Sequence, residues 1–242
     1  MQRIFHTPEG VRDIYSQECS RKQKLQEKLH RVFHQYGFED IETPTFEYFE
    51  VFSKEVGTIP SRDLYKFFDR EGNTLVLRPD FTPSVSRACA TYFNPEKEVV
   101  SLCYTGNTFI NNSSFRGRLK ETTQMGVERM GDDSPEADAE ILAMTVECLL
   151  ATGLTEFQVS VGQVDYYKAI FAQTGLSQEE EEELRELISQ KNYFGVEELV
   201  KNKNMDKSLA RVLSQLPQMF GSTEVLEKAK SLTDNPQALK AV

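Results

Sequence analysis

Two short stretches of the chain carry carboxylate, amide and hydroxyl side chains at spacings that bring such groups together. In LRPDFTPSVSR, Asp80 and Thr82 lie two positions apart at the end of a predicted strand. In QMGVE, Gln124 and Glu128 share one face of another predicted strand, because side chains at even separation point the same way. Carboxylates hold an ammonium group, and an amide or a guanidinium holds a carboxylate. Together these residue types are suited to binding a zwitterionic amino acid.

The second stretch belongs to a predicted hairpin whose loop is flanked by cations. The segment YTGNTFINNSSFRGRLKETTQMGVE reads as strand, loop and strand, with Arg116, Arg118 and Lys120 beside the loop. Within the first stretch, Arg78 and Arg87 add two further cations. Basic loops are also frequent on protein surfaces, so the hairpin by itself is equally compatible with a structural role.

The hydrophobic pattern predicts two helices in the first half of the chain. Apolar residues at helical spacing indicate one over residues 16–37, with Ser16 or Ser20 as its N-cap and Gly37 as its end. The other opens at Thr82, whose hydroxyl is suited to capping it.

Strands linked by hairpins account for most of the remaining first part. KFFDREG and NTLVLRP predict one hairpin, EVVSLCYTGNTF and LKETTQMGVERM predict another, and FQVSVGQV predicts a further strand. A helix that begins at Ser134 and Pro135 separates the last two. This order favours an α+β fold with an antiparallel sheet over a doubly wound parallel sheet.

The character of the sequence changes near its last third, which predicts two domains, 1–172 and 173–242. In the second, Ser177 and Glu180 have capping-box spacing and no strand pattern follows, so we expect a small all-helical module. A last helix is predicted to start at Asn235 and is too short to stand without packing. We therefore expect the chain to be a fragment of a longer protein, or its end to fray.

Composition narrows the range of partners. The net charge is −10 and the isoelectric point is about 5.0, which argues against a broad nucleic-acid interface, because phosphate neutralisation dominates such binding. No apolar run has the length of a bilayer span, so no membrane partner is expected. The opening MQRIFHTPEG lacks the apolar core of a secretion signal, which predicts a cytoplasmic protein.

The cysteines and histidines give no pattern typical of a metal centre. His30 and His34 are four residues apart on one helical face, but no third ligand is evident, so we expect two surface histidines, no metal and no cofactor. The cysteines lie far apart without a CxxC pair, which predicts free, mostly buried thiols in a reducing compartment. They are Cys19, Cys89, Cys103 and Cys148.

Four motifs, in order, resemble the catalytic core of histidyl-tRNA synthetase. They are TPEGVRDI at 7–14, ETPTFE at 42–47, LRPDFTPSVSR at 77–87 and GRLKETTQMGVE at 117–128. They are still more similar to the N-terminal portion of a non-synthetase paralogue family, the ATP phosphoribosyltransferase regulatory subunits. The TPEGVRDI opening and the Asp after Leu-Arg-Pro are typical of that paralogue. The resemblance covers roughly residues 5–172 and identifies the pair of families more specifically than either member.

The resemblance implies a class II aminoacyl-tRNA synthetase-like antiparallel sheet flanked by helices, with residues 173–242 as a helical insertion. Its first motif, the helix at 20–37 and the strand around Pro44, would build a homodimer. In the synthetase hairpin, an arginine after the Phe grips the ATP α-phosphate, and an acid two residues later faces the adenine. Ile110 and Asn112 stand at those positions. Replacing the cation with an apolar side chain predicts a lost nucleotide site and no catalysis.

The positions that match the family's histidine pocket keep polar side chains. They are Asp80, Thr82, Arg118, Gln124 and Glu128. Asp80 is one methylene shorter than the usual Glu, so its reach to an ammonium differs. A kept amino-acid pocket beside a lost nucleotide site favours a regulatory role in the first step of L-histidine biosynthesis.

The resemblance then implies two partners, a short-form ATP phosphoribosyltransferase catalytic subunit and histidine as effector, and it makes tRNA an unexpected one. Three alternatives stay open at this point. The chain could be a histidyl-tRNA synthetase with an unusual second motif, or a stand-alone histidine-binding protein. The polar residues could also be inherited ones that serve only the fold.

Overall fold

Contacts within the chain divide it between Gln158 and Val159. The computed structural model describes residues 5–53, 59–112, 117–203 and 205–242. One unit is Met1–Gln158 and the other is Val159–Val242. The division lies before the expected boundary at 172/173, because a helix at Val164–Phe171 shares its buried core with the helices that follow it.

The first unit alternates helices with short and long strands. Its elements are α1 (Ser16–Gln35), β1 (Glu39–Asp40), β2 (Phe46–Tyr48), α2 (Glu50–Ser53), β3 (Lys66–Phe68), β4 (Thr74–Leu77), α3 (Thr82–Tyr92), β5 (Val100–Phe109), β6 (Glu121–Met130) and α4 (Pro135–Thr152). The predicted helices and both predicted hairpins are confirmed. Ser134 caps α4 as predicted, since its side chain accepts a hydrogen bond from the Ala137 amide.

The strands form two small sheets. The longer sheet has the order β1-β5-β6, and β5 pairs with β6 in an antiparallel hairpin of ten-residue strands. The other has the order β2-β4-β3 and is antiparallel throughout. One pairing departs from the antiparallel expectation, because β1 runs parallel to β5. The α+β class is confirmed.

The two faces of the β5–β6 hairpin pack against different helices, because successive side chains of a strand point to opposite faces. On the α3 side the buried cluster comprises Phe81, Val85, Cys89, Val100, Leu102 and Tyr104. On the other side, against α1 and α4, it comprises Val32, Phe33, Phe38, Cys103 and Met144. Consecutive residues of β5 therefore belong to different cores.

Arg78, which follows β4, contacts three other parts of the chain. Its Nε donates to the Asn107 carbonyl and its Nη1 to the Thr43 carbonyl, each over 2.8 Å. The guanidinium carbon lies 4.0 Å from the centre of the Phe81 ring. A Cβ at Gly106 would lie 2.6 Å from Nη2, so β5 needs a glycine where the guanidinium approaches. Arg78 is buried and serves the fold.

Two predicted helix caps are wrong. The N-cap of α3 is Phe81, because the Thr82 hydroxyl donates instead to a carboxylate of β6. The N-cap of α1 is Tyr15 and makes no side-chain capping bond, so neither Ser16 nor Ser20 caps that helix. At Thr82 the capping preference read from the sequence is overridden by a tertiary hydrogen bond.

The second unit is helical in the part that the structure describes. Its helices are α5 (Val164–Phe171), α6 (Gln178–Ser189), α7 (Tyr193–Asn202), α8 (Lys207–Gln215), α9 (Glu224–Leu232) and α10 (Pro236–Ala241). The predicted capping box of α6 is confirmed at Ser177 and Glu180. The strand predicted for FQVSVGQV is wrong, since these residues pair with no strand that the structure describes, and Val159 and Val161 are exposed.

The short helix α10 is held by packing. Ala238 is fully buried in a core that includes Ile170 of α5. Asn235 accepts hydrogen bonds from two amides of α10, and its own amide donates to the Ala169 carbonyl over 3.1 Å. These contacts supply the packing that a helix of this length needs.

The sequence predicts free, mostly buried thiols and no segment that could span a bilayer. All four thiols are free, with Cys89 and Cys103 buried and Cys19 and Cys148 half-buried. Among the helices that the structure describes, none has both the length and the apolar character needed to cross a bilayer.

Replacing Arg78 with Met keeps its packing on Phe81 but removes the donors to buried carbonyls. We expect Arg78→Met to lower the free energy of unfolding by about 2–4 kcal/mol, since buried acceptors lose their partners. Arg62→Met, whose side chain is 85% exposed, is the matched control and should change stability by less than about 0.5 kcal/mol. Urea denaturation of both variants measures the difference, and equal stability of the two would contradict this role for Arg78.

Candidate functional site

The segment from the end of β4 to the start of α3 places two polar side chains against β6. The Gln124 amide donates to Asp80 Oδ1 over 3.0 Å, and the Thr82 hydroxyl donates to Glu128 Oε1 over 2.6 Å. All four side chains are half-buried. The structure therefore brings together the two polar stretches singled out in the sequence.

Tyr104 of β5 completes this group, and the sequence alone did not identify it. Its hydroxyl donates to Glu128 Oε1 and accepts from the Gln124 amide, both over 3.4 Å. Its ring stacks on Phe81 with centroids 4.4 Å apart. In the sequence, the feature that could have indicated Tyr104 is Gly126, which pairs with Tyr104 across the hairpin. A Cβ at Gly126 would lie 2.6 Å from the Tyr104 Cζ, so the glycine makes room for the phenol.

We call Asp80, Thr82, Tyr104, Gln124 and Glu128 the carboxylate–amide cluster. Its internal hydrogen bonds occupy one oxygen of each carboxylate, Asp80 Oδ1 and Glu128 Oε1. The other oxygens, Asp80 Oδ2 and Glu128 Oε2, accept no hydrogen bond from any described residue. Each carboxylate thus keeps one oxygen whose acceptor capacity no described residue uses.

Burial and charge shift two groups of the cluster in the same direction. Burial raises the pKa of Glu128; the hydrogen bonds from Thr82 and Tyr104 oppose this, and the negative charge of Asp80 adds to it. Burial and the charges of Glu128 and Asp80 raise the pKa of Tyr104 well above its usual range. The phenol therefore stays a hydrogen-bond donor. A bound cation would relieve the repulsion between the two carboxylates.

The arginines that the sequence places near these polar stretches make no described hydrogen bond or ion pair with the carboxylate–amide cluster. Arg78 donates to backbone carbonyls, and Arg87 donates to the buried Glu47 from Nε and Nη2, over 3.0 and 2.8 Å. Arg118 is exposed, and within the described ranges no hydrogen bond or ion pair joins it to the cluster. Arg116 lies outside the described residues. The cluster is acidic and accepting, which suits an ammonium group.

Ile110 and Asn112 follow β5 at the start of the hairpin loop. The Ile110 amide donates to the Lys120 carbonyl over 2.9 Å, and the Asn112 side chain donates to the Leu119 carbonyl over 3.5 Å. Both side chains are half-buried. One is apolar and the other is a neutral amide, so neither position offers a cation to a phosphate.

Comparison with known proteins places this arrangement in a family. The family model described as histidyl-tRNA synthetase matches residues 10–242. The chain belongs to the histidyl-tRNA synthetase family. A histidyl-tRNA synthetase from Nostoc sp., 19% identical, has the same fold, with a TM-score of 0.76 over 98% of this chain and 55% of that one. The class II synthetase-like fold implied by the four motifs is therefore confirmed.

Within this family the chain is similar to proteins named as ATP phosphoribosyltransferase regulatory subunits. It is 41% identical to the one from Acetivibrio thermocellus over 98% of this chain and 57% of that protein. It is 38% identical to the one from Clostridium acetobutylicum, over 98% of this chain and 59% of that protein. A Bacillus halodurans structure, described as an ATP phosphoribosyltransferase regulatory subunit/histidyl-tRNA synthetase, gives a TM-score of 0.86 at 31% identity, covering 98% and 61%.

The resemblance to the regulatory-subunit paralogue is thus confirmed by relatives that match almost all of this chain. The chain spans somewhat more than half the length of those relatives.

The raised pKa of Glu128 gives a prediction for stability against pH. A carboxyl whose folded-state pKa lies above its ordinary value of 4.5 favours folding below that value and loses this contribution as pH rises through the folded-state pKa. Glu128→Gln keeps an acceptor oxygen for Thr82 but cannot ionise. The stability of Glu128→Gln relative to the unmodified protein should therefore increase from about pH 4 to about pH 7.

Denaturant titrations of both proteins at several pH values measure this difference. Glu71→Gln, on an exposed turn, gives the effect of removing a surface carboxylate. A relative stability of Glu128→Gln that stays constant or falls with rising pH would be incompatible with a raised pKa at Glu128.

Proposed function

We propose that this family member acts as, or within, a non-catalytic regulatory subunit of ATP phosphoribosyltransferase, the enzyme of the first step of L-histidine biosynthesis. It supports a short-form catalytic subunit and transmits feedback inhibition by histidine. Similarity to regulatory subunits over 98% of the chain supports the proposal. A cytoplasmic location remains a prediction from the sequence.

One observation carries the proposal: the side chains at positions matched to the amino-acid pocket lie together, while the position matched to the phosphate-binding arginine holds an apolar residue. The cluster retains two carboxylates with a free oxygen each, held by Thr82, Tyr104 and Gln124. Ile110 occupies the position at which the family resemblance implies an arginine for the ATP α-phosphate. Adenylyl transfer depends on charge placement at that phosphate, so the chain keeps the means to bind an amino acid without those to activate it.

In the proposed complex the cluster holds the polar groups of histidine. Asp80 Oδ2 and Glu128 Oε2 accept hydrogen bonds from the ammonium group or from the imidazole. Arg118, a further candidate for this pocket, would have to approach from the exposed loop side. Histidine then inhibits the catalytic partner only if it binds one state of the complex better than the other, because coupling requires a difference in affinity.

Self-association through the first-motif region is the second part of the proposal. Along β2, the side chains of Phe46 and Tyr48 are about half exposed while Glu47 between them is buried. Phe67 of β3 meets Phe46 edge to face, with centroids 5.7 Å apart. Clustered exposed aromatic residues are typical of interaction surfaces, and this one supports a homodimer.

Calorimetric titration with histidine and, separately, with ATP tests the ligand assignment. We expect histidine to bind and ATP not to bind. Glu128→Gln should weaken histidine binding roughly 10- to 100-fold, since a hydrogen bond to a charged group contributes about 1.5–3 kcal/mol. Glu121→Gln is the matched control and should bind as the unmodified protein does, because Glu121 lies on the opposite face of β6 and accepts from Asn107.

Two outcomes would contradict the proposal. Tight ATP binding, or histidine-dependent exchange between ATP and pyrophosphate, would favour the synthetase alternative. Histidine binding without co-purification of a phosphoribosyltransferase catalytic subunit would favour a stand-alone histidine-binding protein. Circular dichroism of each variant shows whether a lost affinity reflects a lost fold.

Sedimentation velocity tests the proposed dimer. Phe46→Ser removes a half-exposed aromatic residue from β2 and is expected to shift the protein from dimer towards monomer. Phe194→Ser, which removes an aromatic residue that is 85% exposed in the second unit, should leave the dimer intact. An unmodified protein that sediments as a monomer at all concentrations would argue against self-association.

A further inference from the structure

Four potential metal ligands meet on the side of the hairpin opposite the carboxylate–amide cluster. They are His30, His34, Asp40 and Cys103, and their ligand atoms all lie within 4.8 Å of one another. His30 Nε2 is 2.6 Å from Asp40 Oδ1, and His34 Nε2 is 3.1 Å from Asp40 Oδ2. The Cys103 thiol donates to Asp40 Oδ1 over 3.3 Å.

The fold itself fixes this arrangement. His30 and His34 are one helical turn apart on α1, so their rings share a face, with centroids 4.5 Å apart. Asp40 and Cys103 are paired residues in the parallel ladder of β1 and β5. The Ile41 amide donates to the Cys103 carbonyl over 2.9 Å and locks that register. Three separate elements thus bring four ligands of three chemical types to one point.

We propose that His30, His34, Asp40 and Cys103 form a binding site for a divalent transition metal, with Zn²⁺ as the ion they fit best. Zn²⁺ takes four ligands of imidazole, carboxylate and thiolate type in a tetrahedral arrangement. With metal–ligand distances of about 2.0–2.3 Å, tetrahedral ligand atoms lie roughly 3–4 Å apart. The separations present are close to this range, so small side-chain rotations suffice.

The surroundings are suited to a structural metal. An open groove of about 440 Å³ is lined by His30 and Asp40, which gives an ion access from solvent. Cys103 is fully buried at the base of the cluster. Three of the ligands are imidazole and thiol groups, which select Zn²⁺ over Mg²⁺ or Ca²⁺. With all four positions filled by protein, no place is left for a substrate, so the ion would join α1 to β1 and β5.

A nucleophilic role for Cys103 does not fit the same geometry. The thiol donates to Asp40 and makes no hydrogen bond with either histidine in the part of the chain that the structure describes. Burial, with the adjacent Asp40 charge, raises the pKa of Cys103 to about 12. A catalytic thiol needs the opposite, an accessible position and a lowered pKa, whereas a bound metal displaces the thiol proton directly.

Only the histidine pair of this site is evident in the sequence. A third ligand was not evident, because Asp40 follows the helix end and Cys103 lies in a distant strand. Only the pairing of β1 with β5 brings them together. The expectation of two independent surface histidines is therefore replaced by a four-residue cluster, and the proposal does not depend on the regulatory function proposed above.

Metal binding is tested with the untagged protein, stripped with a chelator and titrated with Zn²⁺ against a competing indicator. We expect one Zn²⁺ per chain and a rise in melting temperature on its addition. His34→Ala and Cys103→Ala should each weaken the affinity at least about tenfold. The matched controls are His6→Ala, which removes the third histidine of the chain, and Cys89→Ala, which removes the other buried thiol. Both should bind as the unmodified protein does.

Titration with Co²⁺ adds a readout of ligand identity. The proposal predicts intense visible bands of a tetrahedral ion and an ultraviolet thiolate-to-metal band, with the thiolate band alone lost in Cys103→Ala. Because Cys103 is buried, that variant can unfold; His34→Ala, with a half-exposed side chain, keeps the test independent of this. If the protein binds no Zn²⁺, the proposal is overturned. If His6→Ala weakens binding as much as His34→Ala does, the protein binds an adventitious ion only, and the proposal is overturned as well.

Discussion

The pairing register of β5 with β6 is the constraint on which the rest of the first unit depends. It sets Tyr104 opposite Gly126, where the absent side chain leaves space for the phenol. A slip by one residue would turn every side chain of a strand to the other face, sending Gln124 and Glu128 towards α1. Arg78 in turn fixes the position of β5 relative to the end of β4, because its guanidinium covers the backbone of β5 where only a glycine fits.

Local and periodic signals carried much of the fold and part of the site. Helical spacing gave α1 and α3, hairpin signals gave β3–β4 and β5–β6, and even spacing placed Gln124 and Glu128 on one face. The order of elements predicted the α+β class, and the resemblance to a known family supplied the class II synthetase-like architecture. The strand expected at FQVSVGQV failed because alternation by itself provides no partner strand.

The parts that could not be predicted all depend on long-range contacts. Tyr104 reads in the sequence as one apolar residue of a strand, and its role follows only from its partners on β6 and α3. Thr82 has the residue type of a helix cap, yet its hydroxyl donates its hydrogen bond to a carboxylate outside its own helix. Arg78 and Arg87, which are compatible with ligand binding by residue type, are committed to backbone carbonyls and to Glu47.

Hydrogen bonds between its own members hold the carboxylate–amide cluster in place in the described structure. A site built in this way loses little conformational freedom on binding, which favours a small polar effector over a large adaptable one. The hairpin loop offers no comparable charge at Ile110 and Asn112, so the two ends of one hairpin differ in chemistry although they share a backbone.

Cys103 and Tyr104 are joined by a single peptide bond but contribute to opposite sides of the hairpin. A rigid strand cannot translate or tilt one of these residues without the other. A displacement of Cys103 on the α1 side therefore also displaces Tyr104, the next residue, on the α3 side. Signal transmission between the two faces needs no chain of intermediate side chains, because the strand that separates them is also what connects them.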